Sequence, residues 1–323
     1  MKLRIYLLVC LILISGSFAH AAYEFDPTDI GVGARPLGMG KAFVGLSDDG
    51  SAIFVNPAGL YSKDNVRLTS MAGNLMEEIP YTVIGVSFRA LEGNIGIGYV
   101  GLTTSGIEGA VLVGNTPEAT GEEASYNNST LVLNYATDAN RVPLLQGVQL
   151  FRDINLRVAA GLKLISEGFQ GGGDAFDATG SGYDLDLASI FDITEDISGG
   201  LVMKNIIPGD NIRWKNSGNE LPMVISPGVI WKLSDLNLNL GLDGELIESR
   251  GFYWHVGSEW WPVEFAALRA GIDQKPSAGK VTNNFSLGLG TRYEGFTFDY
   301  AYHTYEDVAD FTTHYFSIGF IGE

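Results

Sequence analysis

The mature sequence has no cysteine. The only cysteine of the 323-residue chain, Cys10, lies in an apolar N-terminal leader. A disulfide, a thiolate nucleophile and a cysteine-based metal site are therefore excluded for the mature chain. Basic residues are also scarce, because 20 Lys and Arg stand against 38 Asp and Glu, a net charge of −18. This balance argues against nucleic acid as a partner, since phosphate binding depends on clustered positive charge.

Long apolar runs are absent after the leader. The mean hydropathy of +0.12 is high for a chain with 18% charged residues. Even so, no segment after residue 20 reaches the roughly 20 apolar residues that a membrane-spanning helix needs. This combination is typical of a transmembrane β-barrel, in which half of the side chains of each strand face inward and can be polar.

Residues 1–21 predict a secretory signal peptide. Lys2 and Arg4 form the charged start, residues 6–14 form the apolar run, and Ala19-His20-Ala21 provides a small-x-small cleavage site. We place cleavage before residue 22.

Apolar and polar residues alternate along much of the chain. Residues 236–243 read Leu-Asn-Leu-Asn-Leu-Gly-Leu-Asp, and residues 296–303 alternate in the same way with aromatic side chains. A β-strand points successive side chains to opposite faces, so each such segment has one apolar face. The pattern predicts fourteen antiparallel strands, an even number as in closed bacterial barrels. The predicted strands are 65–74, 80–90, 93–104, 125–137, 152–168, 178–192, 197–207, 222–233, 235–248, 251–261, 264–273, 281–293, 295–305 and 312–321.

The connections between these strands alternate in length. The long polar connections are 105–124, 169–177, 208–221, 274–280 and 306–311, and short turns separate them. Outer-membrane barrels have short periplasmic turns and longer outer loops. We therefore predict a protein of the bacterial outer membrane, in contact with its lipid, with both termini in the periplasm. Residues 138–151 break the rhythm and suggest a periplasmic helix.

Residues 22–64 differ from the rest and form the second predicted region, ahead of a barrel at 65–323. They are rich in glycine and contain the motif Asn56, Pro57, Ala58 and Gly59, which is typical of a turn or short helix. A 14-stranded barrel is wide enough to leak unless it is filled, because its diameter grows with the number of strands. We therefore predict that this segment is a plug inside the barrel.

The plug segment also carries a family resemblance. Within residues 30–60 stand Gly-Ala-Arg-x-x-x-Met-Gly, then Ala-Phe-Val, Asp-Asp and Asn-Pro-Ala-Gly-Leu. This pattern resembles the start of the PorV/PorQ family, which belongs to the wider FadL-like group of outer-membrane barrels. The similarity in layout continues more loosely to the end of the chain. The resemblance implies a 14-stranded barrel whose N-terminal segment, with Asn56, Pro57 and Ala58, is tucked into the lumen.

The charged residues suggest contacts between plug and wall. Arg35 is expected to pair with inward-facing acids of the strands, and Asp48 and Asp49 are further candidates for polar contacts of the plug. The candidate wall acids are Asp184, Asp186 and Asp243. We predict no enzyme activity, metal or cofactor, because the three histidines of the mature chain stand in no metal-ligand spacing and no catalytic cluster is visible.

Two functions remain open at this stage. The resemblance implies an accessory or docking component for protein export of the type IX kind, with secreted cargo or secretion components as partners and the loops 105–124, 169–177 and 208–221 as the binding surface. The alternative is a FadL-like channel for hydrophobic or small solutes, which predicts an apolar pocket beside the plug. Inward faces dominated by Gly, Asn, Asp and Ser argue against an apolar channel, so docking is the expected function.

Overall fold

The computed structural model describes residues 26–75, 78–114, 116–171, 178–215, 217–277, 280–305 and 311–322. The predicted signal peptide lies outside these ranges. Within them, no helix combines the length and the apolar character needed to cross a membrane.

Fourteen strands close into one antiparallel β-barrel, which confirms the predicted fold class. Each of these strands is hydrogen-bonded to the strand before and after it, and β1 pairs with β16 to close the ring. Two short strands, β8 and β9, form a small hairpin that pairs with β6. The strands are β1 (Val66–Leu75), β2 (Ile79–Ala90), β3 (Gly93–Val113), β4 (Thr116–Asp138), β5 (Arg157–Gly171), β6 (Ala178–Asp192), β7 (Ile197–Lys204), β8 (Ile212–Arg213), β9 (Gly218–Asn219), β10 (Val224–Leu233), β11 (Leu238–Ile247), β12 (Gly251–Val263), β13 (Ala266–Ser277), β14 (Lys280–Tyr293), β15 (Phe296–Tyr305) and β16 (Phe311–Gly322).

The alternation of the sequence sorts side chains between the two faces of the wall. On β4, Leu131 and Leu133 are 42% and 48% exposed on the outside, whereas Val132 and Asn134 between and beside them are buried inside. The same alternation gives the other barrel strands an exposed apolar outer face, which is the surface a barrel offers to lipid.

The short turns lie at one end of the barrel. Leu91 and Glu92 both have positive φ, as do Glu294 and Gly295, which is the backbone of a two-residue type I′ hairpin turn. The first and last barrel strands also meet at this end, where Val66 pairs with Gly322. We call it the short-turn end and the opposite one the long-loop end.

The connections differ in detail from the prediction. Most of the predicted loop 105–124 is instead paired β-strand. The strands β3 and β4 extend beyond the barrel and stay hydrogen-bonded as far as Val113 and Thr116. The predicted loop 208–221 contains β8 and β9. Between β4 and β5, the structure has a 3-10 turn, Ala139–Arg141, and a short α-helix, Gln149–Asp153. Residues 172–177 lie outside the described ranges.

Residues 26–64 lie inside the barrel, and we call them the plug. They form the 3-10 helices Pro27–Ile30, Gly50–Ile53 and Pro57–Leu60 and the α-helix Ala34–Gly38. The three 3-10 helices begin in the same way: the side chain of Asp26, Asp49 or Asn56 accepts a backbone N–H two residues later. Such caps satisfy the free N–H groups of a helix start and explain how these very short helices persist.

The main chain of the plug lies directly against the wall at strand glycines. A Cβ atom added to Gly257 would stand 2.1 Å from the carbonyl oxygen of Met39, and one added to Gly241 would stand 2.6 Å from that of Ala42. Gly241 and Gly257 are paired neighbours on β11 and β12. The glycines that the sequence places inside strands therefore make room for the plug backbone. We call Gly200, Gly241, Gly257 and Gly271 the glycine belt; each lies against plug residues 39–44.

The substitution Gly257→Ala tests this packing. The added methyl would overlap backbone that cannot rotate away, so the free energy of unfolding should fall by about 1–3 kcal/mol. Urea unfolding of the protein refolded in lipid vesicles measures the change. The matched control is Ser258→Ala, on the outer face of the same strand, which should leave stability within about 0.5 kcal/mol of the parent. Equal stabilities of the two variants would show that the contact is not tight.

Candidate functional site

Asn56 joins the plug to itself and to the wall. Its side chain is fully buried; the carbonyl oxygen accepts the Ala58 N–H at 3.2 Å, and Nδ2 donates to Val44 O at 2.9 Å and to Ser189 O at 3.1 Å. Ser189 lies on β6, so a single amide caps a helix, fixes a second plug segment and reaches a strand. Pro57, Ala58 and Gly59 follow in the buried 3-10 helix.

Two more wall side chains hold the plug by its main chain. Asp243 Oδ2 on β11 accepts the N–H groups of Phe43 and Val44 at 2.7 and 2.8 Å. Asn134 on β4 donates to Ile53 O at 2.8 Å. These contacts come from strands on different sides of the ring, so the plug is fixed across the lumen.

The substitution Asn56→Asp distinguishes two roles of this side chain, the capping of the 3-10 helix and the anchoring of the plug. Aspartate keeps the oxygen that accepts from Ala58, but it loses both donors and places a buried carboxylate against two carbonyl oxygens. Stability should fall by about 2 kcal/mol or more. Asn127→Asp, a half-buried side chain on β4 whose oxygen accepts from Thr103, is the control and should change stability less. The free energy of unfolding of both variants is measured by urea unfolding. A small loss of stability in Asn56→Asp would contradict the role of Asn56 as an anchor.

Arg35 pairs with Glu259 on the wall and not with the predicted wall acids. Its Nε lies 2.7 Å from Glu259 Oε2, and its Nη1 lies 2.6 Å from Asp48 Oδ1 and 3.0 Å from Asp49 Oδ2. Arg35 is 14% exposed and Glu259 is fully buried. Although burial opposes a charged guanidinium, Asp48 and Glu259 raise the pKa of Arg35 above its usual value.

Arg269 extends this cluster along the wall. Its Nε lies 2.8 Å from Glu259 Oε2, and its Nη1 lies 2.8 Å from Asp299 Oδ1. Glu259 is thus shared by two guanidinium groups, one from the plug and one from β13. We call Arg35, Asp48, Asp49, Glu259, Arg269 and Asp299 the charge cluster. It borders a polar vestibule of 440 Å³ at the short-turn end.

The predicted partners Asp184, Asp186 and Asp243 have other roles, so the predicted pairing with Arg35 is wrong. The helix Ala34–Gly38 contacts β13 to β16, whereas Asp184 and Asp186 lie on β6. Asp184 accepts the N–H groups of residues 185 and 207. Asp243 is occupied by the plug main chain, as described above.

Asp186 belongs to a second buried ion group that the sequence did not reveal. Lys163 on β5 is 1% exposed, and its Nζ lies 3.2 Å from both Asp186 Oδ1 and Asp26 Oδ2 and also contacts Asn205. Asp26 begins the described part of the plug. Although burial works in the opposite direction, the Lys163 ammonium and the Thr28 N–H keep the pKa of Asp26 below its usual value.

The substitution Arg35→Met tests whether the charge cluster holds the plug. Breaking a buried pair leaves Glu259 less compensated, so stability should fall by roughly 3 kcal/mol. Ion conductance of the variant in planar bilayers should rise above that of the parent, because the plug loses its contact at the vestibule. Arg141→Met is the control: Arg141 and Glu92 are 46% and 83% exposed, so their loss should cost less than about 1 kcal/mol and leave conductance unchanged. Identical behaviour of both variants would rule out the cluster as an anchor.

An apolar cavity of 460 Å³ lies between the plug and the long-loop end. It shares no lining residue with the vestibule in the described part of the chain, so the plug stands between the two. The volume falls in the range of about 300–1,000 Å³ that small-molecule sites occupy. Its apolar lining includes inward-facing wall residues and one plug residue: Leu75, Ile79, Leu102, Val224, Ile247 and Ile30.

A metal site is not found in the described ranges. There, no group of three or more His, Asp or Glu side chains is arranged to hold a metal ion. His303 is buried against Asp273, with Nε2 at 2.6 Å from Oδ1, and Asn284 donates to the same carboxylate. With Asn284 on β14, this pair links β13, β14 and β15 within the wall.

The fold has counterparts among solved structures, although no protein-family model and no curated protein matches the sequence. The monoaromatic hydrocarbon channel CymD has 12% identity and a TM-score of 0.60, over 94% of this chain and 99% of that chain. The Ralstonia pickettii toluene transporter TbuX has 10% identity and a TM-score of 0.61, over 91% and 99%. The Pseudomonas putida toluene transporter TodX has 11% identity and a TM-score of 0.53, over 94% and 98%.

These likenesses establish the fold and correct the expected function. The FadL-like barrel group named by the resemblance agrees with the fold, whereas the PorV/PorQ assignment finds no support. The expectation of a docking component for protein export is wrong: the three similar structures described above are hydrocarbon channels and toluene transporters. The lumen also contains the apolar pocket beside the plug that the uptake alternative predicted.

Proposed function

We propose that the protein is an outer-membrane channel that admits hydrophobic small molecules and has no catalytic role. The observation that carries this proposal is the apolar cavity above the plug. A lumen that served only as a wall for a plug would have no reason to concentrate Leu75, Leu102 and Ile247 at one height, facing inward. The fold shared with CymD, TbuX and TodX, which are hydrocarbon channels and toluene transporters, supports the same reading.

The outer surface and the strand layout support the location. Exposed Leu, Ile, Val and aromatic side chains cover the outside of the strands, and such a belt is stable in lipid but not in water. With the short-turn end and both termini in the periplasm, the cavity opens toward the outside of the cell. A hydrophobic molecule would then leave the aqueous surface for the apolar cavity before it meets the plug.

Binding of ethylbenzene tests the proposal. Isothermal titration of the refolded protein in detergent should show saturable binding, measured against the same detergent without protein. Leu102→Trp places an indole in the cavity and should weaken binding at least about tenfold, because burial of apolar surface drives it. Leu131→Trp adds the same group to the outer face and should leave binding unchanged. Absence of saturable binding, or equal loss in both variants, would overturn the proposed function.

A further inference from the structure

A smaller chamber of 80 Å³ opens beside the apolar cavity, between the plug and strands β7 and β10 to β12. The chamber and the cavity share the lining residues Asp29, Lys41 and Glu245, so the two spaces adjoin. A single water molecule needs only about 10–15 Å³. The chamber therefore has room for one end of a molecule whose other end lies in the cavity.

The two sides of the chamber differ in chemistry. The plug side combines apolar residues such as Leu37 with the charged Asp29 and Lys41. The wall side is polar and includes Asp243 and His255. A group that enters the chamber therefore meets hydrogen-bonding atoms of the wall, and both hydrocarbon and charged groups of the plug.

Two buried atoms of the wall side have no hydrogen-bond partner within the described residues. Asp243 is 3% exposed; its Oδ2 holds the plug main chain, and its Oδ1 is unpaired. His255 is 5% exposed; its Nε2 lies 3.5 Å from Glu245 Oε2, and its Nδ1 is unpaired. Buried polar atoms are paired in the large majority of cases, so these two indicate a missing partner.

The two unpaired atoms belong to side chains that lie close enough together to contact the same ligand. Asp243 and His255 stand directly opposite each other in the β11–β12 ladder and both face inward. Side chains in that relation have Cβ atoms about 4.5–5.5 Å apart. One small polar group can therefore contact both.

The charges around the chamber favour a neutral group. Asp29, Asp243 and Glu245 supply three carboxylates, and Lys41 and Lys204 supply two ammonium groups. A carboxylate ligand would face three like charges, and a cationic ligand would face the two lysines.

We propose that the chamber binds the hydroxyl group of a hydrophobic alcohol or phenol whose apolar body occupies the cavity. The ligand O–H donates to Asp243 Oδ1, and the ligand oxygen lies beside Nδ1 of His255. This inference rests on the proposed function, because it assigns a polar end to molecules that the cavity takes up. It predicts discrimination by hydrogen-bond donation and not by size or apolarity alone.

The test compares 4-ethylphenol with 4-ethylanisole by isothermal titration of the refolded full-length protein. The two ligands share the ethylbenzene body, but the ether of ethylanisole cannot donate. Ethylphenol should bind at least about tenfold more tightly to the parent protein, since a site built for a donor leaves its acceptor unpaired with the ether. A ratio near one would show that the chamber holds only water and would overturn the proposal.

The variant Asp243→Asn sharpens the comparison. The amide oxygen can still accept the N–H groups of Phe43 and Val44, while the amide nitrogen turns the free acceptor into a donor. The preference for ethylphenol should then fall at least about fivefold, because the ether oxygen gains a partner. Glu248→Gln, on the loop after β11 and outside the chamber, is the control and should retain the parent preference.

The outcomes separate the two proposals. Loss of preference in Asp243→Asn but not in the control supports the hydroxyl site, and an unchanged preference in both overturns it. If the variant does not fold, the ratio for the parent protein decides alone. Binding of ethylbenzene with no preference between the other two ligands would refute the hydroxyl site and leave the proposed function intact. Absence of binding by all three ligands would refute both.

Discussion

The structure depends on the direct contact between the plug main chain and the barrel wall. A 14-stranded barrel encloses more space than its own inward side chains fill, so something must occupy the lumen. Here a peptide segment does so with its backbone against the glycine belt, and the carbonyl oxygens of Met39 and Ala42 lie where side chains would otherwise be. Such contact is possible only if the wall supplies partners for the peptide groups that it covers. Asp243 and Asn134 supply part of them.

Buried charge follows from the same arrangement. Once the plug fills the lumen, inward-facing ions such as Glu259 and Lys163 are no longer solvated by bulk water, and each needs a partner at short distance. Both find it across the interface: Glu259 pairs with Arg35 of the plug, and Lys163 pairs with Asp26. The ion pairs thus lie at two well-separated places of the same contact. Each ties plug to wall and adds a plug partner to a pair within the wall, because Glu259 also contacts Arg269 and Lys163 also contacts Asp186.

The fold could be predicted from the sequence, whereas the ion-pair partner of Arg35 could not. Alternation determines which side chains face outward, so the fourteen strands and the closed barrel could be predicted from residues alone. It does not determine the rotation of the plug about the barrel axis, on which the partner of Arg35 depends. Asp184, Asp186 and Asp243 were plausible partners because they face inward, as Glu259 also does. The selection among them is made by the placement of the helix Ala34–Gly38 against β13 to β16, a contact between distant parts of the chain.

The inward-facing residues, taken together over the full height of the lumen, indicate a polar interior. That average led to the wrong expectation of a docking component. Inward Asn, Asp and Gly are indeed frequent, but many of them lie at the level of the plug, where Asn134 and Asp243 bond to it. Above that level, toward the long-loop end, apolar residues take inward-facing positions, and Leu102, Val224 and Ile247 line a cavity. An apolar site therefore coexists with a polar lumen because the two lie at different heights of the same strands. Height is fixed by the register of the ladder, which becomes visible only when the strands are paired.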